Sequence, residues 1–474
     1  MTDILDMSAG ALTRNIAARR LSAVELMRAT LERIDALNPR HNAIVALRPR
    51  EELMAEARAA DAAERRGPLH GLPMAVKDLE DVAGLPTRKG SPLTSPTAAA
   101  ADSVMAGRLR QAGAILIGKT NVPEFGLGSY SRNPVYGITR NAYDVRHSAG
   151  GSSSGAAVAL ALRMVALADG SDYGGSLRNP AGWNNVYGFR PSYGRIPRVD
   201  ADVWTPSLAV LGPMARSVED LALLLSVQAG FSPAAPLSLA GEASAFQPAP
   251  VPRIKGARIA WVGDFGGAIP FEPGVLERAQ AALTVFESLG AVVEEATPDF
   301  PIQDLWRAFL VLRHWHNAAL LPLYENPDMR AHLPPAAIYE IEAGLKLSAY
   351  DVAAASQTRT LWHAALMRFH ATYDFWALPT AQCFAFPAEE RGAMRVGGRT
   401  MTTYHEWMQC VVPATMAGAP VAALPAGFDA SGRAMGIQLV GRVQDETGLL
   451  AAARAYDEAT RWLQSRPPEV LGSL

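Results

Sequence analysis

Two glycine–serine loops at a fixed spacing constrain this chain more than any other feature. The first opens AGGSSSGAAVALAL at Ala149, and the second reads ADGSDYGGSLRNPAG from Ala168. Ser152 and Ser176 stand 24 residues apart. Between the loops the pattern predicts a helix over 154–162 and a strand over 164–168. Such a helix climbs ~14 Å at ~1.5 Å per residue. The strand returns ~16 Å at ~3.3 Å per residue, so the two loops should end side by side. Short apolar runs (PMAVK, AILIGK, VALAD) alternate with helical stretches from Gly71 to about Gly230. That alternation predicts a layered α/β structure.

The rest of the chain fits one large unit. Residues 1–70 read as helices, with Ser22 as a cap and Glu25 three residues on. Residues 71–230 form the α/β core, and the Pro-, Ala- and Ser-rich stretch 231–255 reads as a surface connection. A strand–helix–strand unit follows over 256–298. Residues 299–376 are mostly helical, and Trp306, Trp315, Trp362 and Trp376 fall there out of nine tryptophans. The segment 377–474 returns to strands, joined by a hairpin at DASGRA, and a last helix starts at Glu446. A net charge of −2 makes no electrostatic case for nucleic acid or an anionic membrane surface. With only Cys383 and Cys410 there is no disulfide framework or Cys-rich metal site. MTDILDMSAGALTRN lacks a signal-peptide pattern, and Arg163 interrupts the most apolar helix. The expectation is therefore a cytoplasmic protein with no membrane span.

Several motifs offer chemistry. GAILIGKT at 113–120 fits the phosphate-loop pattern G-x-x-x-x-G-K-[ST]. Its middle residues, Ala114 to Ile117, read as a buried strand, so the phosphate reading is set aside. Gly151 to Gly155 fits G-x-S-x-G with Ser153 central, but a polar stretch precedes it where that motif needs an apolar strand. By itself the loop serves equally well as a helix cap. In the second loop the backbone N–H groups of Tyr173, Gly174, Gly175 and Ser176 form a tight turn that can hold an oxyanion. A serine nucleophile needs a base, and no histidine is marked for it. Lys77, at the end of PMAVK, is the candidate if burial removes its charge; alternatively it pairs with Asp78 at the surface. His314 and His316, two apart on a helix, do not face each other, so no metal site is expected.

Lys77 in GLPMAVKD, the loop GGSSSG and GSDYGGSLRNPAG at this interval together resemble the amidase signature family. GAILIGKTNVPEFG, GPMARSVEDLALLL and GIQLVGRVQDE extend the likeness over nearly the whole chain. The resemblance implies a single α/β/α layered domain with a central mixed sheet flanked by helices, in which the GKTN segment ends a strand. It implies a Ser–Ser–Lys triad of Ser176 (nucleophile), Ser152 (bridging, after a cis peptide) and Lys77 (base). Ser153, Asp172 and Arg178 match a supporting network, although an Asp–Arg pair that merely pins the loop reads equally well. The implied activity is hydrolysis of small amides through an acyl-enzyme without metal or cofactor, by a monomer or homodimer, with carbamates and esters also open. Tyr130, Tyr136, Trp315 and Thr380 are candidate pocket residues for an apolar or aryl acyl group. Departures from the family pattern are Tyr173, where a threonine is usual, and Ala142, Tyr143, Asn184, Asn185 and Thr415. The family also includes the A component of a glutamine-dependent aminoacyl-tRNA amidotransferase. Its charged features are missing from YEIEAGLK and WMQCVVPATMAG, which favours a stand-alone hydrolase. A catalytically silent binding protein with the same fold is the remaining alternative.

Overall fold

Apolar runs with few charges become strands buried on both faces, and they sort into two sheets. A computed structural model describes residues 3–200, 202–205, 208–241 and 243–473. The smaller sheet holds β1 (Ile44–Val45), β2 (Pro73–Lys77) and β3 (Ile115–Thr120), with β3 in the middle. β2 runs parallel to β3, and β1 antiparallel to it. All residues of β2 and β3 are buried.

The larger sheet is mixed and has eight strands. In chain order they are β4 (Leu167–Asp172), β5 (Tyr187–Arg190), β6 (Val210–Ala215), β7 (Arg258–Trp261), β8 (Val292–Glu295), β9 (Phe375–Pro379), β10 (Val421–Phe428) and β11 (Ala434–Val440). Their spatial order is β8-β7-β9-β11-β10-β5-β6-β4. β7 is parallel to β8 and β9, whereas the pairings from β9 to β4 are antiparallel. Helices flank the sheet, giving the layered α/β architecture expected. DASGRA does close a hairpin, β10 to β11, in which Asp429 Oδ1 accepts the Arg433 N–H at 2.8 Å.

β4, the edge strand of the large sheet, and β2, at the edge of the small one, meet without a backbone ladder. The Asp169 carboxylate on β4 accepts the Lys77 N–H instead, at 3.1 and 3.3 Å. Two expectations are corrected here. The strand between the loops is 167–172 and not 164–168, because LADGSD enters the ladder despite its polar residues. The strand ending in GKT belongs to the small sheet and not to the central one. Lys119 within it is buried, its Nζ donating to Glu80 O and to Thr87 Oγ1, which leaves no phosphate-binding turn.

The helix Ser154–Ala161 is buried all round, as a sequence of Gly, Ala and aliphatic residues without a polar face requires. Its first turn lies against backbone. Gly155 N–H donates to Asn121 O at 3.1 Å. A Cβ on Gly155 would sit 2.3 Å from both Ala43 O and Asn121 N. The aromatic segment is helical over Ile302–His316, Pro335–Gly344 and Ala349–Phe369. Most of its rings build core: Trp362 meets Trp376 and Phe300 edge-on. Among the described residues no helix is long and apolar enough to cross a membrane.

The tight contact at Gly155 gives the first prediction. Gly155→Ala forces backbone apart between this helix and the small sheet, and overpacking of this kind costs ~1–3 kcal/mol. Guanidinium unfolding should show a lower midpoint for the variant; an unchanged midpoint would mean that this helix start has room to spare.

Candidate active site

The β2–β4 seam and the two serine loops converge on one amine. Lys77 ends β2 with its side chain fully buried. Its Nζ lies 2.9 Å from Ser152 Oγ, 2.8 Å from Ser153 Oγ and 2.9 Å from Ser171 Oγ. Ser152 follows a cis peptide from Gly151. Burial pulls the Lys77 amine down to about 7, against the opposing pull of the Asp169 and Asp172 charges. The same burial pushes Asp169 up to about 7, its bond from the Lys77 N–H acting the other way. The alternative of a surface Lys77–Asp78 pair is not what forms. Asp78 is itself buried, 3.9 Å from Lys119 Nζ, and accepts the N–H groups of Arg88 and Gly90.

The second loop turns on Asp172, at the end of β4. Arg178 donates Nε to Oδ2 at 3.0 Å and Nη2 to Oδ1 at 2.8 Å. Arg190 reaches Oδ1 at 3.2 Å and the Asp172 carbonyl at 2.6 Å. Burial opposes ionisation of Asp172, but Arg178 and then Arg190 hold its carboxyl well below the usual carboxylate range. Gly175 has φ +94°, and a Cβ there would fall 2.1 Å from Asn179 Oδ1, so only glycine fits. The two loops do lie side by side, with Ser153 N–H donating to Ser176 O at 3.2 Å. The expectation of four free amides in the turn fails at Gly175, whose N–H is taken by Asp172 Oδ1 at 2.9 Å. The Gly174 and Ser176 N–H groups donate to no group among the described residues.

Ser152, Ser171, Tyr173 and Ser176 line one cavity of about 550 Å³, a volume suited to a small organic molecule. Leu79, Phe125, Leu127, Trp315 and Leu320 supply its apolar lining. Of the four pocket candidates, Trp315 is there and the other three are not. Tyr130 is buried in the aromatic core against the backbone of Gly128 and Gly151. The backbone of Tyr136 is tied to Asn42 and Asn133. Thr380 is packed on Gly182 with its hydroxyl directed at Met435 Sδ.

Ser171 and Arg190 were missed by sequence reasoning. A strand drawn to Asp172 would have revealed Ser171, because period two puts it on the face of Asp169. The departures other than Tyr173 lie outside the cavity lining, and four of them form pairs. Ala142 N–H donates to Asn184 Oδ1 at 3.1 Å, and Asn185 Nδ2 to Tyr143 Oη at 2.8 Å. Thr415 accepts from Arg178 Nη2 at 2.7 Å.

A family model described as Amidase matches residues 25–450. An acylamidase of Rhodococcus erythropolis is 34% identical over 473 residues, covering 98% of each chain. The A component of the glutamyl-tRNA(Gln) amidotransferase of Gloeobacter violaceus is 32% identical, covering 97% of this chain and 98% of its own. Among solved structures, a bacterial aryl acylamidase of the amidase signature enzymes superposes with a TM-score of 0.89 at 26% identity, covering 99% of each chain.

Asp172 is where stability concentrates beneath the turn. Asp172→Ala leaves two buried guanidiniums without their carboxylate, and breaking a buried pair in this way costs ~3–5 kcal/mol. Denaturant unfolding should show a loss of that size, partly recovered when Arg178→Met is added. A loss below ~1 kcal/mol, or no recovery, would mean the ion pair is not what stabilises the turn.

Proposed function

The chain belongs to the amidase signature family and is an amide hydrolase; on that premise we propose that Lys77, Ser152 and Ser176 carry the reaction through an acyl-enzyme, on small amides with an apolar or aryl acyl group. The observation that carries this reading is the buried Lys77 amine, brought to about 7 and 2.9 Å from Ser152 Oγ. Ser176 lines the same cavity. A neutral amine has two hydrogens and one lone pair. Ser153 Oγ lies within reach of the Ser171 carbonyl at 3.4 Å and accepts from the amine. Ser171 Oγ takes the second N–H. The lone pair is then left for the Ser152 proton.

In this mechanism Ser176 gives its proton to Ser152 as Ser152 gives its own to Lys77, and Ser176 Oγ bonds to the substrate carbonyl carbon. The free amides of the turn, those of Gly174 and Ser176, receive the developing oxyanion together with Tyr173 N–H; one such donor is typically worth ~2.7–4 kcal/mol. The proton returns through Ser152 to the departing nitrogen as the C–N bond breaks. Water then cleaves the acyl-serine ester by the same relay. Carbamates and esters present the same carbonyl and are further candidate substrates. Similarity to the A component of amidotransferases keeps glutamine as the competing substrate.

Purified protein assayed on aryl amides, aliphatic amides, carbamates, esters and glutamine tests the reading. Ser176→Ala should abolish amide turnover and the covalent acyl adduct seen by mass spectrometry. Lys77→Ala should lose more on an anilide than on an activated ester, whose leaving group needs no proton. Unchanged turnover in Ser176→Ala, or cleavage of glutamine alone, rejects the proposal.

The pH dependence follows from the direction of the Lys77 shift. The base must be neutral, so below about 7 kcat/KM for an amide should rise ~10-fold per pH unit and level off above it. A profile that falls as pH rises through that value would exclude neutral Lys77 as the base.

A further inference from the structure

Three cationic side chains line the cavity outside the relay: Lys89 is exposed, Arg198 is paired with Asp200, and Arg313 is buried. Arg313, near the end of the helix Ile302–His316, lines the cavity with Ser176 yet is only 6% exposed. Its Nε donates to Glu340 Oε1 at 2.6 Å and its Nη2 to Tyr404 Oη at 2.6 Å. Its third nitrogen, Nη1, has no hydrogen-bond partner among the described residues and is not fully buried. The guanidinium stacks over the rings of Tyr173 and Tyr404, at 5.2 and 5.8 Å.

Both oxygens of Glu340 are already engaged by other groups, Oε2 by His314 Nδ1 at 2.6 Å and Oε1 by Tyr404 Oη. The acids lining the cavity are also committed. Asp200 pairs with Arg198 at 2.8 Å, and Asp202 accepts from Trp204 and Thr205. The same cavity also has apolar lining from Phe125, Leu127, Trp315 and Leu320. A fixed donor in an apolar pocket orients a ligand by the acceptor it carries, and Arg presents that donor in a rigid plane.

We propose that Arg313 is a specificity subsite: it binds an oxygen acceptor, carboxylate or carbonyl, carried on the acyl portion of the amide. The inference rests on the cavity being the acyl site of the Ser176 reaction. It narrows the substrate class to acyl groups with an apolar stretch and a second oxygen function beyond the scissile carbonyl.

Three anilides with one leaving group test it: N-phenylglutaramate, its methyl ester and N-phenylpentanamide. Wild-type kcat/KM should favour the acceptor-bearing compounds over N-phenylpentanamide by on the order of 10–100-fold, the range of a charge-assisted hydrogen bond. A preference shared by acid and ester identifies the carbonyl oxygen as the recognised group, and one confined to the acid identifies the carboxylate. The double variant Arg313→Met with Glu340→Gln, which leaves neither charge unpaired, should bring the ratio to near one. Arg313→Lys, which keeps the charge and the ion pair, should retain part of the preference and guards against misfolding of the double variant. A wild-type ratio near one, or an unchanged ratio in both folded variants, overturns the subsite. Anilide cleavage that survives Ser176→Ala instead overturns the acyl-enzyme reading beneath it.

Discussion

A lysine without a carboxylate in hydrogen-bond reach is the constraint around which this site is arranged. Taking an ammonium out of water is costly, and a salt bridge is the usual compensation. Here the nearest acid on the neighbouring strand, Asp169, is spent on the Lys77 backbone N–H. The side-chain amine meets three serine hydroxyls instead. Hydroxyls satisfy a neutral amine as well as they satisfy an ammonium, so burial draws the amine down to about 7. The same acid replaces the missing ladder bonds between β2 and β4. Joining the two sheets and leaving the amine without a carboxylate partner are thus one arrangement.

The strand β4 separates two electrostatic environments with a single alternation. Asp169 and Ser171 project to the Lys77 side, where burial pushes the Asp169 carboxyl up. Asp172 projects to the other side, where Arg178 and Arg190 keep it ionised. Three residues apart, the two carboxyls are driven in opposite directions because their neighbours differ. On one side the product is a buried amine and a buried carboxyl, both drawn to about 7. On the other it is a rigid charged knot that ties down the turn and consumes the Gly175 amide. That amide is the cost of a fixed turn, and those of Gly174 and Ser176 are left without a partner among the described residues.

The sequence made some of this legible and hid the rest for identifiable reasons. The β2 strand, the hairpin at DASGRA and the buried helix after GGSSSG all follow from local pattern, which the structure matches closely. The adjacency of the two loops followed from rise per residue alone, even though the strand between them was drawn three residues early. The error had one cause: DGSD reads as a loop when polarity is used to end strands, whereas here each of its polar side chains has a buried partner. Correcting it would have exposed Ser171. Arg190 could not be found in this way, since nothing in YGFR marks which acid it will meet. The aromatic residues fail similarly: a tryptophan in a helical stretch fits core or cavity equally, and only packing assigned Trp362 to one and Trp315 to the other.

The cavity draws on several separate parts of the chain. Ser152, Ser171, Tyr173 and Ser176 come from the serine loops, Arg198, Asp200, Asp202, Thr205 and Ala209 from the stretch before β6, and Arg313, Trp315, His316, Asn317, Ala319 and Leu320 from one helix end and the turn after it. Tyr173 connects the first and the last of these. It follows Asp172 directly and begins the turn proposed to hold the oxyanion. Its hydroxyl reaches Leu312 O at 3.4 Å and His316 Nδ1 at 3.3 Å, and its ring lies under the Arg313 guanidinium. A residue as small as the threonine of the family pattern could not span that gap. With tyrosine there, the backbone of the proposed oxyanion turn and the helix end that lines the cavity are braced against each other. A change in the helix end that moves Tyr173 therefore moves the turn, which under the proposed mechanism couples substrate selection to transition-state stabilisation.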